Sequence, residues 1–411
     1  MKTNAFIHYS VIHGFFWMAY CAGTGFSSTY LLNIGFSNGE IGILVAAAGL
    51  CAAFLQPTLA TRIDLSGKRL LKPVLYGCIL AAVGLSALLL MLPAGYRLAG
   101  GICFGGNLCV LQLMIPLINS LSICGRDSEN INFGFSRAIG SLTYAAISYA
   151  LGRMIAAVGM EMLARARIIC FAGLLCSLFF FPVLFQEKQK IRMDVKKGKN
   201  MQAHFAGREQ PSGTGGKEAF FYRNPGFLTM MAGCFLLYLC HSFLTYYNYQ
   251  IVLSKGGSEQ TYGVVIALAA MLELPVMFGF SAMLKKAPAA LWFQLSGLGY
   301  ICKAVGCLLA PGMMTYYGVQ IFQMAAWAMI SVASVSFVKE VTAPGDSTRG
   351  QAFVTLSYTT AMAMGSLSGG FLLQLMSVRM MLLCAIIFAC SGSLVLSFGI
   401  RKIHKSVKYA D

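Results

Sequence analysis

Glu273 is the residue whose type least suits its surroundings. It lies in the stretch Ala267 to Lys286, ALAAMLELPVMFGFSAMLKK, where no other charge appears before Lys285. A helix crosses a bilayer with roughly 20 apolar residues, so this stretch can span one with the carboxylate near the midplane. A charge at that depth is costly, and such groups face a bundle interior or a wet cavity, paired or protonated. Lys303, in Tyr300-Ile-Cys-Lys303-Ala-Val-Gly306, sits in a similar setting. Opposite charges on successive helices lower each other's cost and couple their protonation, so Lys303 is the expected partner of Glu273. His241 adds an imidazole, a group that changes protonation near neutral pH and suits proton relay or donation to substrate.

Polar side chains recur at helical spacing in four other places. These are His13, Trp17, Tyr20 and Thr24; Gln112 and Asn119; Tyr238, His241, Thr245 and Asn248; and Gln320, Gln323, Trp327 and Ser331. Polar residues at i, i+3 or i+4 and i+7 present one wet face on an otherwise apolar helix. Tyr20, Trp17, Asn119, Tyr238, Thr245, Asn248, Gln320, Gln323 and Trp327 are therefore candidate substrate contacts. Each has a plainer role available in hydrogen-bonding one helix to the next.

The elements that would position these groups follow from composition. The chain has 411 residues, 57% of them hydrophobic and 11% charged, against about 25% charged in an average soluble protein. Its mean hydropathy is +0.70, and uncharged runs recur along its length. The run Ala287 to Val338 is cut by Ala310-Pro311-Gly312 and counts as two crossings, which brings the total to twelve helices. The first run is too long for a signal-peptide core and is expected to stay as helix 1. The 44 Gly suit close helix packing in lipid. The 14 Cys show no C-x-x-C pair or metal-ligand spacing and are expected to be packing residues without disulfides, metal or cofactor. No P-loop, H-E-x-x-H or Ser/His/Asp arrangement appears, so neither ATP-driven transport nor an enzyme is expected.

The formal charge of +17 is distributed by loop. With the N-terminus inside, the inner side collects Lys2, Arg62, Lys68, Arg69, Lys72, Arg126, the basic middle segment, Lys285, Lys286, Lys339, Arg349, Arg401, Lys402, Lys405 and Lys408. The other side holds Arg97, Arg153, Arg165, Arg167, Lys255 and Arg379. This asymmetry places both termini in the cytoplasm and explains the basic excess as topology, not nucleic-acid binding. The expected organisation is a six-helix bundle over 1–186, a basic cytoplasmic linker over 187–223, a second six-helix bundle over 224–400 and a cytoplasmic tail over 401–411. The halves repeat: Gly35-Phe-Ser37 through Gly42-Ile-Leu-Val-Ala46 aligns with Gly256-Gly-Ser258 through Gly263-Val-Val-Ile-Ala267, an offset of 263 − 42 = 221. Six crossings per half give both halves the same orientation. The offset sets Ala52 opposite Glu273, so the carboxylate is an addition to the repeat.

Helix 2 ends Ala60-Thr-Arg62-Ile-Asp64-Leu-Ser-Gly67-Lys68-Arg69, which resembles the loop 2-3 signature of the major facilitator superfamily, with Ala60 and Leu65 departing from it. The resemblance implies twelve helices in two pseudo-symmetric bundles, a cavity lined by helices 1, 4, 7 and 10, and a cytoplasmic gating role for Asp64 and Arg69. Phe133-Gly134-Phe-Ser-Arg137-Ala-Ile-Gly140-Ser141 is similar to an element of the branch that holds the lactose permease, other oligosaccharide:proton symporters and the phenylpropionate permease. There the Arg binds sugar hydroxyls and an aromatic residue seven positions later stacks on the ring, which implies substrate contact for Arg137 and Tyr144. The branch's helix 10 Lys, His and Glu correspond to Gln320, Gln323 and Ala326, so its coupling apparatus is absent and most of any proton coupling falls on Glu273.

The expected function is a monomeric secondary transporter in the cytoplasmic membrane. It would move a sugar, oligosaccharide or glycoside by alternating access, with protons as the driver and Glu273, Lys303 and His241 as the coupling groups. Efflux of sugars or drugs, uptake of an aromatic acid or nucleoside, and a non-transporting receptor are the alternatives.

Overall fold

Helices account for nearly all of the described residues, and they end where glycine, proline or charged turns interrupt the apolar runs. The computed structural model describes residues 5–66, 69–93, 95–124, 133–181, 220–222, 224–342 and 347–408, and no strand occurs among them. The first half comprises α1 (Ala5–Tyr20, a π-helical turn Cys21–Gly25, then Ser27–Asn33), α2 (Asn38–Leu65), α3 (Leu71–Met91), α4 (Arg97–Cys124), α5 (Phe133–Val158) and α6 (Glu161–Phe180). The second comprises α7 (Phe227–Tyr246, then Asn248–Ser254), α8 (Glu259–Leu284), α9 (Ala289–Leu309), α10 (Met313–Val319, a π-helical turn Met324–Ala328, then Met329–Val341), α11 (Ser347–Leu375) and α12 (Val378–Lys408). Ten are long and apolar enough to cross a membrane. The other two are α1, interrupted by its π turn, and α11, which carries many Ser and Thr. Large side chains such as Leu80, Ile102, Ile169, Phe179, Leu298, Ile387 and Leu394 are exposed along the spans, as a lipid-facing surface requires.

The packing repeats between halves. In the first, α1 packs on α5 and α6, and α3 on α4 and α6; in the second, α7 packs on α11 and α12, and α9 on α10 and α12. The bundles meet where α5 packs on α8 and where α2 packs on α11. α3 shows why its face turns inward: Leu71, Leu75, Ile79, Ala82, Ser86 and Leu89 form one buried stripe. Within it Asn107 of α4 donates to Ser86 at 3.1 Å, which gives its amide N–H a partner in an apolar core.

The repeated stretch has a structural cause. Gly35 and Gly256, 221 residues apart, both have positive φ, +90° and +80°, a region glycine enters without Cβ strain. Each caps its helix in the same way, through Gly35 N–H to Leu32 and Phe36 N–H to Leu31, and through Gly256 N–H to Leu253 and Gly257 N–H to Val252. Seven residues on, Gly42 lies against the Ser366 carbonyl and Gly263 against the Ser148 carbonyl, while Gly370 meets the Asn38 carbonyl and Gly152 the Glu259 carbonyl. The offsets are 263 − 42 = 221 and 259 − 38 = 221 for one side, 366 − 148 = 218 and 370 − 152 = 218 for the other. The α2–α11 and α5–α8 crossings are thus one contact built twice from small residues that let backbones touch.

Both crossings lie at the end away from the termini, termed here the far end. Four hydrogen bonds among the described residues join the bundles, all at this end: Ser28 to the Tyr246 carbonyl, Tyr262 to the Gly25 carbonyl, Gln250 to Asn38 and Ser366 to the Gly42 carbonyl. At the terminal end, Phe135 and Phe278 meet with centroids 6.1 Å apart.

The expected linker 187–223 lies outside the described residues except for 220–222. There Phe220 is buried against Phe227 and Phe353, so the segment's end belongs to the second bundle's core. α12 runs on to Lys408, carrying the helix through most of the expected tail; Ile403 is buried and His404 lies edge-on to Phe337. α6 begins at Glu161 and takes in Arg165 and Arg167. Arg167, placed by charge counting at a helix end, is fully buried.

Candidate functional site

The first bundle's contribution is built around Arg137 on α5. Its guanidinium lies over the Trp17 ring, Cζ 3.8 Å from the centroid, and donates to Ser141 Oγ at 3.0 Å. Gly140 makes this possible: a Cβ there would fall 2.5 Å from the Trp17 indole. Trp17 is held from below by a chain of hydrogen bonds. Its indole N–H donates to His13 Nδ1 at 3.2 Å, His13 Nε2 meets the Tyr9 hydroxyl at 2.9 Å, and Tyr9 donates to the Ile118 carbonyl at 3.3 Å. Because the indole can only donate, His13 Nδ1 must accept, so Nε2 carries the proton and the imidazole is neutral. Tyr20 packs beside Trp17 with centroids 5.0 Å apart. The Tyr144 hydroxyl sits against Gly25 at the end of the α1 π turn.

The second bundle's contribution is built around Gln323. Its amide nitrogen donates to Glu273 Oε1 at 2.9 Å, and its amide oxygen accepts from Lys303 Nζ. The expected pairing of Glu273 with Lys303 is therefore mediated. The two charges are joined through a neutral amide whose dipole is oriented correctly for both. Two local features set this up. Gly299, one turn before Lys303, allows α9 to approach the Ala325 and Ala326 backbone of α10, where any Cβ would collide. The π turn Met324–Ala328 follows Gln323 directly and carries Trp327; one extra residue per turn re-aims the side chains around it, and such turns concentrate at functional sites. Pro275, two residues after Glu273, interrupts the α8 ladder at the same depth.

An aromatic group adjoins the bridge. Trp327 stacks on His241 with centroids 4.3 Å apart and planes 8° from parallel, and Tyr358 of α11 leans on Trp327 at 5.5 Å. Tyr238 stands edge-on to Tyr358 at 5.2 Å. Thr245 and His241 Nε2 approach to 3.4 Å. Glu273, Arg137, Trp17, Trp327 and Tyr358 all remain partly accessible, and the Glu273 and Arg137 charges lie within Coulombic reach across the α5–α8 interface.

Other candidates lie apart from this cluster. Asn248 follows the break in α7 and accepts from the Tyr316 hydroxyl at 2.8 Å. Gln320 is buried, donating to the Tyr316 carbonyl at 3.3 Å. Asn119 is partly buried on α4. Arg69 is exposed at the α2–α3 connection, while the Asp64 side chain lies outside the described residues. Two members of the cluster escaped the sequence reading. Tyr358 was signalled by the polar break Ser357-Tyr358-Thr359-Thr360 in an apolar run. Tyr9 had no signal beyond its spacing of four from His13.

Twelve helices in two equivalent bundles, closed at one end around a polar and aromatic cluster, define a membrane carrier of the two-bundle type. The chain belongs to the MFS_1 like family, whose model matches residues 6–403. No curated protein matches it by sequence. Among solved structures it is similar to the nucleoside transporter NupG, with TM-score 0.70 and 14% identity over 98% of this chain and 100% of that one. It is also similar to a bacterial homologue of the human lysosomal transporter Spinster, inward-facing and unoccupied, with TM-score 0.65 and 11% identity over 98% of both chains. A bacterial homologue of the human drug peptide transporters PepT1 and PepT2 gives TM-score 0.62 and 14% identity over 99% of this chain and 98% of that one. These likenesses establish a transporter fold in a multi-pass membrane protein.

Proposed function

We propose that this chain is a proton-coupled secondary transporter for a small, polar, uncharged solute that carries a flat face, such as a glycoside. Alternating access exposes the cluster first to one side of the membrane and then to the other. The observation that carries the reading is the Glu273–Gln323–Lys303 line. It holds a carboxylate at mid-membrane depth, linked by one neutral amide to a cation and reached from the other bundle by Arg137. Protonating Glu273 removes one charge from that balance, and a shift in balance is what can bias two bundle arrangements that differ by a few kcal/mol. Arg137 supplies fixed donors for hydroxyls, while Trp17, Trp327 and Tyr358 supply faces for ring carbons. With the N-terminus taken as cytoplasmic, closure of the far end makes this the inward-facing arrangement, in the cytoplasmic membrane, and the chain acts as a monomer.

Reconstituted uptake driven by an imposed pH gradient tests the assignment. Glu273→Gln is expected to abolish uphill accumulation and to leave exchange of substrate between loaded vesicles and medium. Accumulation at the wild-type level in that variant would sink the coupling role. A nucleoside is the second reading, favoured by the parallel Trp327–His241 stack, which offers a platform for a base. Competition by a panel of glycosides and nucleosides separates the two.

A further inference from the structure

The terminal end of the second bundle gathers basic residues from three helices. Lys285 and Lys286 follow α8, Lys339 lies in the last turn of α10, and Arg401 and Lys402 lie on the continuation of α12; all five are exposed. Among the described side chains at this end of the bundle, Glu340 is the one acid. The sign of these charges follows from topology, but their arrangement does not. The 221-residue repeat sets Asp64 and Leu65 opposite Lys285 and Lys286 (285 − 221 = 64), so the cationic turn is an addition of the second half.

The three helices deliver their cations to one depth. α8, α10 and α12 all run from the far end to the terminal end, and Lys285 stands 285 − 259 = 26 residues beyond Glu259, Lys339 stands 339 − 313 = 26 beyond Met313 and Arg401 stands 401 − 378 = 23 beyond Val378. At a rise of ~1.5 Å per residue these positions lie roughly 35–39 Å along their helices. The hydrocarbon core is ~30 Å thick and the headgroup layers extend it to about 40–45 Å, so the cations meet the level of the lipid phosphates.

Aromatic side chains join the three ends into one frame. Trp292, near the start of α9, donates its indole N–H to the Met283 and Ala287 carbonyls, both at 3.2 Å, which fixes the turn that carries Lys285 and Lys286. Its neighbour Phe293 packs on Phe337 of α10 with centroids 5.7 Å apart, and Phe337 receives His404 of α12 edge-on at 5.8 Å. The α12 continuation is held further by the buried Ile403 and by the close approach of Gly226 to the Gly399 carbonyl. Cations fixed on one frame repel one another, and an anion seated among them offsets that repulsion.

We propose that this frame is a binding site for the phosphodiester headgroup of an anionic phospholipid of the phosphatidylglycerol type, with Trp292 beside its upper acyl chains. Arg401 offers a planar fork to two phosphate oxygens, and the lysines supply point charges around it. Clusters of about four to eight cations directly beyond a membrane helix attract anionic headgroups in this way. The depth of the cations favours a lipid over a soluble anion. The site is separate from the central cluster and independent of the solute carried.

Trp292 reports on the site. The purified protein is placed in phosphatidylcholine vesicles containing either phosphatidylglycerol or phosphatidylcholine brominated high on the acyl chain, and quenching of tryptophan fluorescence is followed; Trp292→Phe supplies the contribution of Trp17 and Trp327, the other two Trp of the chain. Phosphatidylglycerol is expected to be preferred at least about threefold beside Trp292, with the preference shrinking as sodium chloride screens it. The double variant Lys285→Gln, Arg401→Gln should bring the two lipids level. The double variant Arg62→Gln, Arg69→Gln removes two exposed cations from the same end of the first bundle and should leave the preference intact. Equal losses in the two double variants would mark a diffuse surface field and overturn the site. So would wild-type quenching that does not distinguish the lipids, a comparison that needs no variant. Displacement of phosphatidylglycerol by sodium phosphate beyond that by sodium chloride of equal ionic strength would overturn the lipid as occupant in favour of a free anion.

Discussion

The two bundles share a scaffold and divide the chemistry. In each, a glycine beside the key cation lets an aromatic or a helix come close: Gly140 admits Trp17 under Arg137, and Gly299 admits α10 against the turn that precedes Lys303. What the glycines then support differs. At the site, the first bundle presents the permanent cation Arg137 over an aromatic face, braced by neutral hydrogen bonds from Trp17 to His13, Tyr9 and a backbone carbonyl. The second holds two opposite charges with Gln323 between them. A permanent cation suits a constant anchor, and a group that can gain and lose a proton suits a driver. The scaffold is common to both halves, whereas the side chains differ, and under the proposed coupling only the second half would count protons.

Removing the bridge should break this division most severely. Gln323→Leu leaves the buried Lys303 and the partly buried Glu273 without the amide that serves both, and stranding a buried charge costs about 3–5 kcal/mol. Uphill accumulation is expected to fall at least about a hundredfold, because the amide that positions the proposed proton-transfer group Glu273 is lost. The variant should also unfold at lower temperature, read by intrinsic fluorescence in detergent. Wild-type accumulation in Gln323→Leu would show that the two charges act without it.

Arg137→Lys tests the constant half. Lysine keeps the charge but loses the planar face on Trp17 and the fork of donors, so substrate affinity should weaken roughly tenfold while the maximal rate holds. A fall in rate at unchanged KM would instead assign Arg137 to the driving step. The scaffold's symmetry is sharpened by Gly42→Leu and Gly263→Leu, which intrude on equivalent crossings. Labels at the exposed Asn33 and Leu253 should move apart by several ångström in both variants in pulsed dipolar spectroscopy, because overpacking of about 1–3 kcal/mol disfavours the closed end. Different responses from the two would show that the crossings are equivalent in backbone only.

The sequence made this scaffold legible and its site only in part. Span lengths and glycine punctuation follow from the solvent, so the helix count and the 221-residue repeat could be read directly, and the repeat proves to be the bundle-to-bundle contact itself. Glu273 and Lys303 stood out because charges in apolar runs need a reason, and Arg137 through a family resemblance. Gln323 read as a candidate substrate contact standing where a familiar coupling residue is lost, since its bridging role depends on a π turn and on Gly299 lying across from it, neither of which spacing alone reveals. Arg167 was counted as a loop charge because a linear reading measures distance from a helix end and not from the neighbouring helices.

The smallest expected effect tests whether the neutral chain beneath Arg137 matters at all. His13 fixes the indole of Trp17 through Nδ1 while Tyr9 fixes its own Nε2. His13→Gln keeps an acceptor for the indole on a more flexible stem, and His13→Phe keeps the bulk and removes the acceptor. The loss of one neutral hydrogen bond contributes about 1 kcal/mol, so His13→Phe should raise KM roughly fivefold, with His13→Gln recovering part of it. A positioning role places the whole change in KM. A proton-relay role would move the pH profile of accumulation instead, so a shifted profile in His13→Gln at unchanged KM would transfer His13 from the anchor to the driver and end the division between the bundles.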